Sequence, residues 1–241
     1  NRLVSTKGQI DERVHSLFFK SEDQIIATMG IFSAHATIVG PSSKAYCGDY
    51  AGHWAERVEK ATGGIALFLA GGVGSHAATP REKEHEGAMA YGQQLAAITL
   101  QHLDGATFAS RVPWHQAEAT LHLPSPHIRI MGLWRLRPWL AHLLTPTVAS
   151  VQLKALRVGS MLLLGTPCDF SGELALQLQS SWHKDELEIV CTSFNGDYIG
   201  YVVPQEYYFL NEYETQVMGF YGLYTGPYMT EMLRRLGEFM M

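Results

Sequence analysis

Cysteine is scarce in this sequence: Cys47, Cys168 and Cys191 are the only three among 241 residues. None stands in CxxC spacing, which argues against a structural zinc knuckle and a disulfide framework. Three buried thiols fit the pattern, and so does one disulfide with a thiol left over, so cysteine usage does not fix the compartment. Clusters of Lys and Arg are missing as well, and the formal net charge is −5. That argues against nucleic acid and an anionic membrane as main partners, and leaves neutral lipid open. No apolar run reaches the ~20 residues of a membrane helix. The stretch "MLLLGTPC", from Met161, has only the length of a strand. The chain opens with neither a signal peptide nor Met, so Asn1 reads as a cut or processed end with a removed segment expected upstream. Internal repeats and low-complexity linkers are absent too.

What is present is ordinary for a soluble globular protein, with 46% hydrophobic and 17% charged residues. The length suits one large domain or two small ones. A chain of this size buries roughly 70% of its unfolded surface.

Short runs rich in Ile, Val, Leu and Phe predict strands over 14–19, 25–32 and 65–70. Between the last two, Ala51, Trp54, Ala55 and Val58 recur at helical spacing, and Gly63-Gly64 ends the run. Strand, helix, strand is the signature of an α/β layer. Pro80 and the acidic residues after it predict a second helix over 81–102. "EATLHLP" and "HIRIMGLW" read as strands, and "VASVQLKALRVGSMLLLG" as a hairpin turning near Gly159. "DFSGELALQLQSSW" reads as a helix, and "LEIVCTSFNGDYIGYVVP" as strands around an Asn195-Gly196 turn. "GPYMTEMLRRLGEFM" is a closing amphipathic helix. The fold class expected is α/β, a mixed sheet layered with helices.

Three strand exits carry reactive side chains: His35 in "FSAHAT", Cys168 and Asp169 in "GTPCDFSGE", and Tyr198 and Tyr201 in "NGDYIGYVVP". Ligands collect at the carboxyl ends of strands in α/β sheets. A histidine, a carboxylate and a tyrosine there could share one metal ion, with an open position for water. Each residue also has a plain reading. His35 could be a strand-end histidine with a satisfied hydrogen bond. Asp169 could be a helix N-cap, and Tyr201 a core tyrosine with its hydroxyl at the rim. The loop "AGGVGSH" could cradle an anion at a helix start, but it lacks a Walker lysine and dinucleotide spacing, which favours a tight turn.

Taken together, these residues resemble the neutral/alkaline non-lysosomal ceramidase family. "NRLVSTKGQIDERVHSLFF" is similar to the family's NR segment, "IFSAHAT" to its zinc-binding "FA(C/T)HPT", and "CGDYAG" to its "S-D-x-x-G" helix start. "LFLAGGVGSHAAT" falls on its "FxxGxxGDVSPN" loop. "VGSMLLLGTPCDFSGELALQL" is similar to its strand ending in "PGE". "NGDYIGYVVPQEYYFLNEYE" is similar to "NxYxxYxTxxEEYxxxxYE", the most specific of the set. Residues 92–146 carry no match. The resemblance implies that His35, Asp169 and Tyr201 surround a zinc ion and that Tyr213 faces the substrate carbonyl, stabilising the oxyanion or donating a proton. In the family loop an aspartate falls on Ser75 and a serine on Ala77. Ser75 and His76 are the polar groups this chain has there, and they are its candidate substrate-binding residues.

The activity implied is zinc-dependent cleavage of the amide (N-acyl) bond of a lipid-like substrate, such as that between a fatty acid and a sphingoid base, by metal-activated water. The alternative is a non-catalytic relative that keeps the fold and binds a lipid, glycan or protein. The family's first zinc-binding histidine lies upstream of its NR segment, and this sequence begins at Asn1-Arg2. Residues 1–241 are therefore expected to form a single domain, the C-terminal part of a larger ceramidase-like catalytic domain lacking its upstream portion. A second chain or an upstream segment is expected to complete the site, and exposed apolar surface makes a homo-oligomer a further expectation. The location implied is periplasmic or extracellular, with membrane association.

Overall fold

Hydrophobic residues in two periods, two for strands and near four for helices, build two compact units, each around its own core. The computed structural model describes residues 8–82, 84–145, 147–182 and 187–241. The first seven residues of the NR segment, and Lys83 in the expected second helix, lie outside the described residues. Glu12–Ala70 and Ala77–Arg111 make the first unit. Residues 8–11, Gly71–His76 and Val112–Met241 belong to the second.

In the first unit, β1 (His15–Ser21) and β2 (Gln24–Phe32) form an antiparallel hairpin closed at Glu22-Asp23. Helix α1 (Asp49–Thr62) follows, and β3 (Ile65–Ala70) returns parallel to β2. This is the strand, helix, strand order read from the sequence, closed by the crossover that parallel strands require. α1 stops at Gly63, whose left-handed φ of 75° lets its amide bond the Glu59 carbonyl. Helix α2 (Glu84–Asp104) packs on α1 and begins three residues later than expected, so Pro80 sits in the loop ahead of it. Trp54 and Tyr50 of α1 fill the space over the sheet, Trp54 against Gly30 and both against Phe68. The other face of the sheet is apolar too: Leu17, Met29 and Leu67 stand in register across it, and Ile65 and Leu67 are exposed.

The second unit holds a four-stranded mixed sheet in the order β10-β8-β7-β4. Its members are β4 (Trp114–His122), β7 (Ser150–Val158), β8 (Met161–Gly165) and β10 (Glu188–Thr192). The β7–β8 hairpin turns at Gly159, as expected, with φ of 61°. Residues 127–134, expected as one strand, instead form a two-stranded ribbon, β5 (Arg129–Met131) and β6 (Trp134–Arg135), turning at Gly132. Helix α3 (Pro138–Leu144) follows, unforeseen in the sequence, with Pro138 at its first turn. β9 (Asp169–Phe170) leads into α4 (Gly172–Ser180), and β11 (Tyr201–Val202) pairs parallel with β9. One 3-10 turn, Gln205–Tyr207, precedes α5 (Thr225–Phe239). Met229, Leu233 and Leu236 recur on one face of α5 and are buried among Leu153, Leu162 and Phe170.

All three cysteines are free, and Cys168 and Cys191 are buried in this second core. Burial, with the charge of Asp11 adding to it, pushes the Cys191 thiol up to about 12. An unfolded thiol loses its proton near pH 8.5. Between those values the native state holds more protons than the unfolded one, so this contribution is complete below pH 8.5 and is lost as pH rises towards 12. We expect the melting temperature to fall steadily over that window and the fall to be shallower in Cys191→Ala. An identical slope in the variant, read by circular dichroism, would exclude the thiol as a cause.

Candidate functional site

The ladder between β9 and β11 sets Tyr201 directly opposite Asp169. It is extended at both ends, since the Asp169 amide donates to the Gly200 carbonyl at 3.0 Å and the Ser171 amide to the Val202 carbonyl at 3.0 Å. Asp169 is buried, and its carboxylate Oδ2 accepts the Tyr198 hydroxyl at 2.5 Å. The Tyr198 ring stacks on Phe194 and meets Phe220 edge-on. Ser171, not Asp169, stands at the N-cap of α4. The N-cap reading of Asp169 is thereby corrected: the two strand residues before the helix turn its side chain to other partners.

Tyr213 reaches this group through a folded-back loop. The Met218 carbonyl accepts the Tyr201 amide at 2.9 Å, and Gly200 bridges Gly219 in antiparallel fashion. Gly200 has φ of 79°, and a Cβ there would overlap the Met218 carbonyl, so only glycine lets the loop come this close. The ring of Tyr213 then meets that of Tyr201 edge-on, centroids 5.8 Å apart. Tyr213 is exposed and Tyr201 half-buried, so the hydroxyl of Tyr213 stands at the rim.

The electrostatics follow from one buried carboxylate among phenols. Burial, the hydrogen bond to Asp169 and the charge of Asp169 push the Tyr198 phenol far above its ordinary value. Burial and then the charges of Asp169 and Glu214 do the same to Tyr201. Both phenols are therefore protonated at neutral pH in the metal-free protein, and Tyr198 is the donor in its bond to Asp169.

Ser75 and His76 lie in the same unit, where the 71–76 loop meets the start of α4. The Gly74 amide donates to the Phe170 carbonyl at 2.8 Å. Ser75 Oγ accepts the Gly172 amide at 3.0 Å, taking the place of a missing cap from Ser171. His76 is buried, with Nδ1 3.2 Å from the Gly72 carbonyl and 3.3 Å from Ser75 Oγ. The glycine loop is thus a tight turn whose serine serves a helix start. His35 belongs to the first unit, half-buried after β2 and bridged to Ala77.

Of the residues expected at the site, the second unit brings Asp169, Tyr201 and Tyr213 together. Tyr198 is the partner that sequence reasoning left without a role. Its signal was the Tyr-x-x-Tyr spacing after Asn195-Gly196, which a strand would place on opposite faces and a turn does not. Among the described residues, no group of three or more His, Cys, Asp or Glu is placed to hold a metal. Asp169 and Tyr201 offer two donors at most, with Tyr198 already on the carboxylate, so this set does not fit a complete zinc shell.

The architecture is the mixed α/β fold found in neutral ceramidases. No family model and no curated protein sequence matches the chain. It is similar to the crystal structure of a neutral ceramidase from Pseudomonas aeruginosa, with TM-score 0.74 and 16% identity over 93% of this chain and 46% of that one. It is also similar to a ceramidase complexed with C2, with TM-score 0.76 and 16% identity over 95% of this chain and 48% of that one. The chain therefore spans about half the length of the solved structures it matches.

Proposed function

We propose that this chain carries part of a hydrolase of the neutral ceramidase type, which cleaves the amide (N-acyl) bond of a lipid-like substrate by metal-activated water. The observation that supports this reading is the buried Asp169, bonded to Tyr198 and paired with Tyr201, with Tyr213 at the rim. The fold on which it stands is that of the neutral ceramidases. In this reading the rim hydroxyl of Tyr213 donates a hydrogen bond to the carbonyl oxygen as charge develops on it. Tyr198 holds the carboxylate of Asp169 in one orientation. Since Asp169 and Tyr201 fall short of a zinc shell, the proposal requires imidazoles as well. His35 is the one the sequence motif points to, and a further segment or second chain supplies the rest.

The test is turnover of a panel of N-acyl lipid substrates with and without chelator, alongside metal analysis of the assembled protein. Chelator-sensitive hydrolysis with about one zinc per site is the expected result. Tyr213→Phe, exposed and so harmless to folding, is expected to lower kcat by about 100-fold with KM little changed. Hydrolysis indifferent to chelator, or no hydrolysis and no metal in the assembled protein, would sink the proposal.

A further inference from the structure

The second unit turns its usual polarity inside out over residues 128–144. Met131, Leu133, Trp134, Trp139, Leu143 and Leu144, from the β5–β6 ribbon and α3, are all exposed, Trp134 by 76% and Trp139 by 65%. The segment is nevertheless anchored. Ile128, Arg129 and Ala141 are buried, the Leu136 amide donates to the Ile128 carbonyl at 2.9 Å, and Arg129 donates to the carbonyls of Tyr208 and Leu210. Six large apolar side chains held outward on a fixed frame mark a binding surface.

Its chemistry selects the partner. The sequence has no Asp or Glu from Ala119 to Cys168, although the whole chain is acidic. Arg135 and Arg137 are exposed between the two tryptophans. Tryptophan at the tips with arginine beside it matches the boundary between acyl chains and phosphate headgroups. α3 has 7 residues, far too few to cross a bilayer, so the segment lies on the surface. A second copy is a poorer fit, because a symmetric contact would set Arg135 and Arg137 against themselves with no acid in the segment to answer them.

We propose that residues 128–144 dock this protein onto a phospholipid bilayer through the β5–β6 ribbon and α3. An open cleft of about 450 Å³ shares Arg135 with this surface and is lined also by His127, Tyr208, Tyr224 and Tyr228. That volume falls in the range of small-molecule sites. A lipid at the surface would meet this aromatic wall. Docking here stands whether or not the protein turns over an amide.

The test is flotation of the full chain with vesicles of pure phosphatidylcholine and of phosphatidylcholine with phosphatidylglycerol. Wild type is expected to float with both, and more with the second. The double variant Trp134→Ser/Trp139→Ser is expected to lose about tenfold or more in partitioning, with its melting temperature kept because both rings are exposed. Phe239→Ser, 80% exposed on α5, is expected to float as wild type does. Brominated acyl chains should quench tryptophan fluorescence in bound wild type. Wild type left unbound by both vesicle types would overturn the proposal, as would a double variant that floats equally well. Dimerisation abolished by the double variant, in a protein that ignores vesicles, would overturn it in favour of self-association.

Discussion

Asp169→Asn is expected to lower kcat/KM for the proposed hydrolysis of an N-acyl lipid by about 100-fold or more, with the fold kept. The amide is the same size, and its oxygen can still accept the Tyr198 hydroxyl, so the packing survives. What goes is the negative charge that burial and two phenols surround. Tyr198 and Tyr201 are both held protonated in part by that charge, so both ionise at lower pH in the variant. An alkaline spectrophotometric titration reads this directly, independent of turnover. Asp169→Glu keeps the charge and adds one methylene, and is expected to retain far more activity than Asn. Turnover in Asp169→Asn within twofold of wild type would remove the carboxylate from the mechanism.

Trp54→Ala is expected to destabilise the first unit by about 3–5 kcal/mol, a large part of the usual total for a domain. Its ring is 1% exposed, lies against Gly30 of β2 and meets Phe68 of β3 edge-on at 5.5 Å. Its Nε1–H donates to Thr99 Oγ1 of α2 at 3.0 Å, so one side chain ties two strands and two helices. Trp54→Phe keeps part of the ring but leaves the buried Thr99 hydroxyl without its donor, at a cost of about 1–3 kcal/mol. Urea unfolding, with amide exchange in α1 and α2 as the local readout, should rank the two variants in that order. A loss below about 1 kcal/mol in Trp54→Ala would mean that this core does not hold the unit.

Much of the first unit was legible because its signals are local. The run 25–32, the helical spacing of Trp54 and Val58, and Gly63 all act within a turn or two. The second unit hid more. β10 and β11 flank the Asn195-Gly196 turn as a hairpin would, yet they pair parallel with β8 and β9 instead. Such partners are chosen by packing far along the chain, which no local pattern encodes. α3 escaped, and the β5–β6 ribbon was read as one unbroken strand, because their apolar residues face outward and so carry no inside-outside period. In the candidate site, Tyr201 was named from its strand exit, and Tyr213 only through a family motif. The bond from Tyr198 to Asp169 spans 29 positions and appears only once β9 and β11 are side by side.

The interleaving of the two units sets an order of events during synthesis. The first unit has all its residues once Arg111 has left the ribosome, and it can fold at once. Gly71–His76 emerges early but belongs to the second unit, whose strands β7, β8 and β10 are made much later. Until Gly172 appears, Ser75 has no helix start to serve. The loop must wait in water, and its composition permits this: Val73 is its one large apolar residue. Deleting the first unit would therefore also sever this loop from its place in the chain. A stand-alone second unit needs residues 8–11 and 71–76 both carried across on linkers, not a single cut.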